Sequence, residues 1–362
     1  MSFKGHDAKH KEAQRVHKFL ENMRAFDQLC LDEIVKRRQE WFDDDKKMSK
    51  ETAEAIYDRL LRRSVKERVN KTTKEAYPPC IEPKVNWIDG QWIMTLALPQ
   101  EFKISFYSSP NLKEWTHLSD FGPAAEIGGI WECPDLFKLG DKWVLIVSLN
   151  PGGFQIGSGT QYFVGQWNGK EFIADDVQTR WIDYGRDNYA GVTFSNAPDN
   201  KRIFLGWMSN WDYAVKVPTD PWRSAMTVPR ELSLKGNTLV QTPIEKPGGF
   251  PEVSFTTSNG AIRIHENADR YAEIGVRDGN IYVDTTHAWN EIAAPLVQEV
   301  PAPTTETDFR VIVDRGSIEV FAAGGTVVLT NLVLVDTALH YVETVGAVNN
   351  LKLQQLSLAP QG

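Results

Sequence analysis

From Tyr77 onward one pattern recurs along the chain: a short alternating apolar run, a Gly, Asn or Asp turn, and a second run carrying an aromatic residue. VNWIDGQWIMTLAL sets Asp89-Gly90 between two aromatic-rich runs, and Asp-Gly suits a two-residue hairpin because both positions need positive φ. FKISFYSSPNLKEWTHLSDFG, LFKLGDKWVLIVSL, QYFVGQWNGKEFI and RIFLGWMSNW repeat the theme. Short strands at near-even spacing with an aromatic in each hairpin predict a β-propeller built from four-stranded blades. The 12 tryptophans suit the packing of one blade on the next.

KPGGFPEV, residues 246–253, is a Pro/Gly linker and marks the expected boundary of the propeller. Beyond it AIRIHE, YAEIGVRD, GNIYVDTTH, DFRVIVDRGSIEVFAAGGTVVLTNLVLV and LKLQQLSLA alternate as half-buried strands, which reads as a β-sandwich. The front of the chain is different in kind. Val16, Phe19, Leu20, Met23, Phe26, Cys30 and Ile34 recur every three or four residues, an apolar stripe on a charged helix. Ser49 is placed to cap a second helix carrying Ala53, Ile56, Tyr57, Leu60, Leu61 and Val65 on one face. The expected organisation is a helical hairpin over residues 1–76, a propeller over 77–246 and a sandwich over 254–362. Such a stripe is a docking or self-association face, since two lone helices are marginal in water.

Charge excludes some partners. A net charge of −8 and a pI near 5.5 argue against a nucleic-acid or anionic-membrane surface. The front segment is net basic, so the remainder is more acidic than the whole. Cys30, Cys80 and Cys133 are too few and scattered for a disulfide framework, and neither CxxC nor HExxH is present, so no metal or other cofactor is expected. The polar N-terminus shows no apolar core of a signal peptide, which reads as cytoplasmic, and no apolar run approaches the ~18 residues of a membrane span.

The chemistry concentrates in Trp131-Glu132-Cys133-Pro134-Asp135, which closes the run IGGIWECPDLF. Aromatic and apolar neighbours would desolvate the Glu132 carboxyl and hold its proton to higher pH, the condition a general acid needs. About fifty residues on come DYGRDNYAGVTFSN, RIFLGWMSNWDYA and VPTDPWRSAMTVPRELSL. In this order and spacing the four strings resemble glycoside hydrolase family 32, the β-fructofuranosidases (invertases, inulinases and levanases), over residues 78–360. VDRGSIEVFAAGG is similar to the C-terminal sandwich of the same family.

The resemblance implies a five-bladed propeller followed by a sandwich, and a retaining reaction on β-fructofuranosides through paired carboxyl groups. It assigns Glu132 as acid/base. It places Glu82, in Ile81-Glu82-Pro83-Lys84-Val85, where relatives read Arg-Asp-Pro and use the Asp to stabilise the transition state. Glu82 is one methylene longer than that Asp, and Ile81 lacks the guanidinium. Trp207 resembles the tryptophan lining the fructose pocket, with burial inside a blade as the alternative. Asp187, in GRDNYA, resembles a position near the leaving-group side and is taken with Arg186 as substrate-binding, with an ion pair to Arg186 or to a neighbouring loop as the alternative for Asp187. No NDPNG-like nucleophile string occurs, and the helical segment stands in its place. The expected fold is therefore mainly β: an incomplete propeller lacking its first blade, plus the sandwich, preceded by the helical hairpin. The expected function is a fructoside hydrolase impaired at the nucleophile; a fructoside-binding protein without turnover, or an interaction protein, is the alternative.

Overall fold

The computed structural model describes residues 81–219, 224–288 and 297–359, with the side chains of Ile81 and Glu82 outside that description. The helical hairpin expected over residues 1–76 lies outside the described residues. More than half of the described residues are in strands, nearly all of them antiparallel, arranged as propeller-type blades and a sandwich.

Three sheets come first. The first is the meander β1 (Ile81–Ile88), β2 (Gln91–Leu98), β3 (Lys103–Ser109) and β4 (Thr116–Phe121). Ile88 pairs with Gln91 across Asp89-Gly90, whose φ values of 48° and 86° are those the Asp-Gly turn predicts. The second meander is β5 (Ile130–Leu139), β6 (Lys142–Asn150), β7 (Gly159–Trp167) and β8 (Phe172–Ala174). The third holds β9 (Tyr189–Thr193), β10 (Ile203–Met208), β11 (Ala225–Met226), β12 (Arg230–Lys235) and β13 (Thr238–Pro243). Here β12 pairs with the start of β10 and β11 with its end, so the two share one place beside β10.

The middle sheet explains its own sequence. The run WVLIVSL in β6 is buried on both faces. Leu145, Val147 and Leu149 pack with Ile93, Phe106, Trp131 and Phe163 toward the first sheet. Val144 and Ile146 pack with Phe204, Leu232 and Leu239 toward the third. Each fully buried side chain of this size stabilises the fold by about 1.5–3 kcal/mol relative to exposure.

The sandwich follows: β14 (Glu252–His265), β15 (Tyr271–Arg277), β16 (Asn280–Asp284), β17 (Val297–Pro301), β18 (Thr307–Asp314), β19 (Ser317–Ala322), β20 (Val327–Leu332), β21 (Tyr341–Gln354) and β22 (Ser357–Leu358). The first half of β14 pairs with β18, its second half pairs with β15, and β21 accompanies both halves. One strand pair thus belongs to both layers, and the inward residues Phe255, Ile264, Ile274, Val311 and Val320 share one core.

The third sheet is bolted to the sandwich by buried charge. Arg230 on β12 is fully buried, and its Nη1 donates to Asp183 Oδ2 and Gln241 Oε1, both at 3.0 Å. Its Nη2 donates to Glu319 Oε2 on β19 and Thr330 Oγ1 on β20, both at 2.7 Å. Asp183 also accepts from the Thr330 amide at 2.8 Å and from Asn188 Nδ2 at 3.0 Å. Removing water from an ion pair is tolerated only where the remaining donors and acceptors are met, as most are here.

Candidate active site

Glu132 owes its position to an irregularity in β5. It lies opposite Ser148 whereas Asp135 lies opposite Ile146, so three residues of β5 match two of β6. The extra residue makes a β-bulge, with Cys133 at φ 46° and Pro134 contributing no N–H to the ladder. On a regular strand, residues three apart face opposite sides. With the bulge, both carboxyl groups turn toward β9.

The strands β1, β5 and β9 each begin their sheet and run in the same direction past one another. Asp135 is fully buried, and its Oδ2 accepts from the Thr193 amide and hydroxyl, both at 2.8 Å. Lys84 Nζ on β1 lies 3.4 Å from the same oxygen and donates to the Thr193 carbonyl at 2.8 Å. Asn86 Nδ2 donates to the Leu136 carbonyl at 3.1 Å, and Ser195 Oγ donates to Asn86 Oδ1 at 3.1 Å. One ammonium, one carboxylate and one threonine thereby fix the register of three separate sheets.

Glu132 is half-buried, and Tyr189 on β9 donates its phenolic hydrogen to Glu132 Oε2. Tyr189 meets the Trp207 ring edge-on at 6.2 Å between centroids, and Trp207 leans on Trp211 at 5.0 Å. Trp207 is half-buried and Trp211 exposed, so an aromatic path leads from the carboxyl to the surface. The backbone of Glu82 lies two residues before Lys84, near the start of β1; its side chain is outside the described residues.

Asp187 is placed elsewhere. It is fully buried, accepts from the Tyr213 hydroxyl at Oδ1 and from the Leu332 amide of β20 at Oδ2 (2.8 Å), and donates its own amide to the Thr330 carbonyl at 3.0 Å. Burial raises its pKa to about 7, against the lowering effect of the Tyr213 bond, the Leu332 amide and the Arg186 charge. Arg186 pairs with Asp212 at 3.3 Å and lies over the Tyr213 ring at 4.7 Å. The structure therefore brings Glu132 and Trp207 together through Tyr189, and carries Asp187 and Arg186 to the joint with the sandwich.

Sequence reasoning passed over Tyr189, although it stands in the quoted GRDNYA string. Nothing in a tyrosine two residues after a buried aspartate tells that its hydroxyl meets a glutamate 57 positions earlier. Asn188 is likewise explained only in three dimensions: it is a buried partner of Asp183. It also accounts for Gly206, where an added Cβ would stand 2.1 Å from Asn188 Oδ1. Among the described residues no group of three or more His, Cys, Asp or Glu could hold a metal ion, and no helix is long and apolar enough to cross a membrane.

Propeller-type sheets, a sandwich bolted to them, and a half-buried glutamate at the inner strands beside tryptophans define a propeller-plus-sandwich protein with a carboxyl site where the blades meet. Residues 58–243 match the glycosyl hydrolases family 32 N-terminal domain, and residues 234–358 match the family 32 C-terminal domain. The chain belongs to glycoside hydrolase family 32. Among curated proteins it is 34% identical to a levanase of Bacillus subtilis over 77% of this chain and 50% of that protein. It is 32% identical to an extracellular exo-inulinase of Aspergillus niger, over 75% of this chain and 63% of that one. Among solved structures, the exo-inulinase of Aspergillus awamori superposes with a TM-score of 0.66 at 30% identity, covering 75% of this chain and 66% of that one. A β-fructofuranosidase of Schwanniomyces occidentalis complexed with fructosyl-erythritol gives 0.62 at 27%, covering 75% and 69%. The chain spans between half and two thirds of the length of these curated relatives.

Proposed function

We propose that this protein acts on β-fructofuranosides, sucrose or a fructan such as inulin or levan, with Glu132 as the acid/base. The observation that carries this reading is the Glu132 carboxyl held by Tyr189 at the inner strands, with Trp207 and Trp211 leading outward, in a family 32 chain. The half-buried carboxyl would protonate the glycosidic oxygen as the bond to the anomeric carbon breaks, then accept a proton from the incoming water. Trp207 would pack the fructosyl ring. Glu82 would supply the charge that stabilises the oxocarbenium-like transition state. The relatives' names and the fructosyl-erythritol complex support the substrate class. The test is sugar release from sucrose, inulin and levan by the full chain. Glu132→Gln should lower kcat/KM by about 10²–10⁴-fold, the usual worth of a general acid. Turnover untouched by that change would remove Glu132 from the reaction.

A second reading has its own observation. Ile81-Glu82 replaces the Arg-Asp of relatives, and the sequence carries no NDPNG-like string. Where residues act as a unit, losing one partner removes most of the rate. On this reading the protein binds fructosides with little turnover, and self-association through the helical stripe of residues 16–65 is its added property. Sucrose hydrolysis below detection, together with a fructose-dependent rise in Tm, would favour binding over catalysis.

A further inference from the structure

The two strands that meet at Glu132 are both irregular. The bulge of β5 falls between Glu132 and Asp135, with Cys133 at φ 46°. β9 carries a bulge of its own: Tyr189 and Val192 lie opposite Trp207 and Leu205 of β10, three steps against two, and Ala190 between them has φ 50°. A bulge leaves one residue out of the ladder and bends its strand. A residue other than glycine at positive φ persists only where its surroundings hold it there. Two such segments side by side need fixing at both ends.

Each segment fixes the other. At one end Tyr189 donates to Glu132, and at the other Thr193 donates its amide and hydroxyl to Asp135. Two cations close round that far end. Lys84 Nζ stands 3.4 Å from Asp135 Oδ2 and donates to the Thr193 carbonyl. Arg202 Nη1 donates to the Thr193 hydroxyl oxygen at 3.3 Å and to the Phe194 carbonyl at 3.1 Å. Burial lowers the Arg202 pKa, and the Asp135 charge works against that lowering. A buried ion pair contributes little net stability compared with apolar packing. What this one supplies is geometry: Asp135 cannot shift along β5 without breaking its bonds to β9 and its pairing with β1.

We propose that Asp135, anchored by Thr193 and paired with Lys84, is a positioning residue for Glu132, locking the two bulges that aim the acid. The inference rests on Glu132 acting as the acid on fructosides. The full chain and its Lys84→Met, Thr193→Val and Asp135→Asn variants are assayed on sucrose and on 4-nitrophenyl β-fructofuranoside, whose leaving group departs without needing a proton. A misplaced acid should lower kcat on sucrose by about ten- to hundredfold with KM little changed. The nitrophenyl substrate should be largely spared, so the ratio of the two rates rises. Thr193→Val deletes one hydroxyl and keeps the shape, and carries the test if Asp135→Asn does not fold. Equal loss on both substrates assigns the clamp to folding alone and overturns the proposal, as do unchanged rates in all three variants. Glu132→Gln is the control. If it too lowers both rates alike, the acid assignment fails and the proposal with it. Leaving-group dependence in Glu132→Gln but in none of the clamp variants overturns the positioning alone. Difference infrared spectroscopy gives a readout without turnover. The Glu132 carboxyl band, assigned by its absence in Glu132→Gln, should move in Lys84→Met and Thr193→Val in the direction it moves in Tyr189→Phe. A band unmoved in both overturns the proposal.

Discussion

A general acid works only within hydrogen-bond reach of the atom it protonates, so the group that fixes its rotamer matters to the rate. For Glu132 that group is Tyr189. Tyr189→Phe keeps the ring against Trp207 and deletes the donor. It should lower kcat by about ten- to hundredfold with KM little changed, the signature of lost positioning. Steady-state kinetics on sucrose checks this. Asp187 makes a different prediction. Its ordinary pKa of 3.8 rises to about 7 on burial, so between these values the folded chain keeps a proton that the unfolded chain has released. Stability from this group is present below about pH 4, falls as pH rises through the window, and is lost above about pH 7. Asp187→Asn should flatten much of that slope in Tm measured from pH 4 to 8. The sequence shows Asp187 only as an acid in a motif. Its partners, the Tyr213 hydroxyl and the Leu332 amide, stand 26 and 145 positions away and leave no local pattern.

At the level of elements, strands were legible because each is bounded by turn chemistry that acts over two residues, as at Asp89-Gly90. The double burial of β6 goes beyond the hairpin reading of its run and shows only once sheets stand on both of its faces. Nor was the bulge legible. Only pairing with β6 shows that Glu132 and Asp135 share a side, since alternation read along the string puts them on opposite ones. The Arg230 cluster was equally hidden, because VPRELSL reads as a half-buried strand with a charged start. Its removal has a definite cost. Arg230→Ala leaves Asp183 and Glu319 buried without their cation and should cost about 3–5 kcal/mol, read from urea or guanidinium unfolding. Arg230→Met with Asp183→Asn and Glu319→Gln should recover part of that loss, because the stranded charges go with the cation.

For the whole molecule, the joint makes propeller and sandwich stability one quantity. Thr330 on β20 bridges Asp183 and Arg230 through its hydroxyl, at 2.6 and 2.7 Å. Thr330→Val leaves the shape and removes both bonds, at about 1–3 kcal/mol. Calorimetry should show one transition moved down rather than two transitions separated. The same connection has a kinetic meaning. The Leu332 amide holds Asp187, and Asp187 stands two residues before the tyrosine that holds Glu132, the proposed acid. The sandwich is thus the far arm of a lever whose short arm ends at the Glu132 carboxyl. A substitution in β20, remote from any substrate, should be felt as a change in kcat before it is felt as a change in sugar affinity. Turnover then serves as a strain gauge for a domain on the far side of the joint.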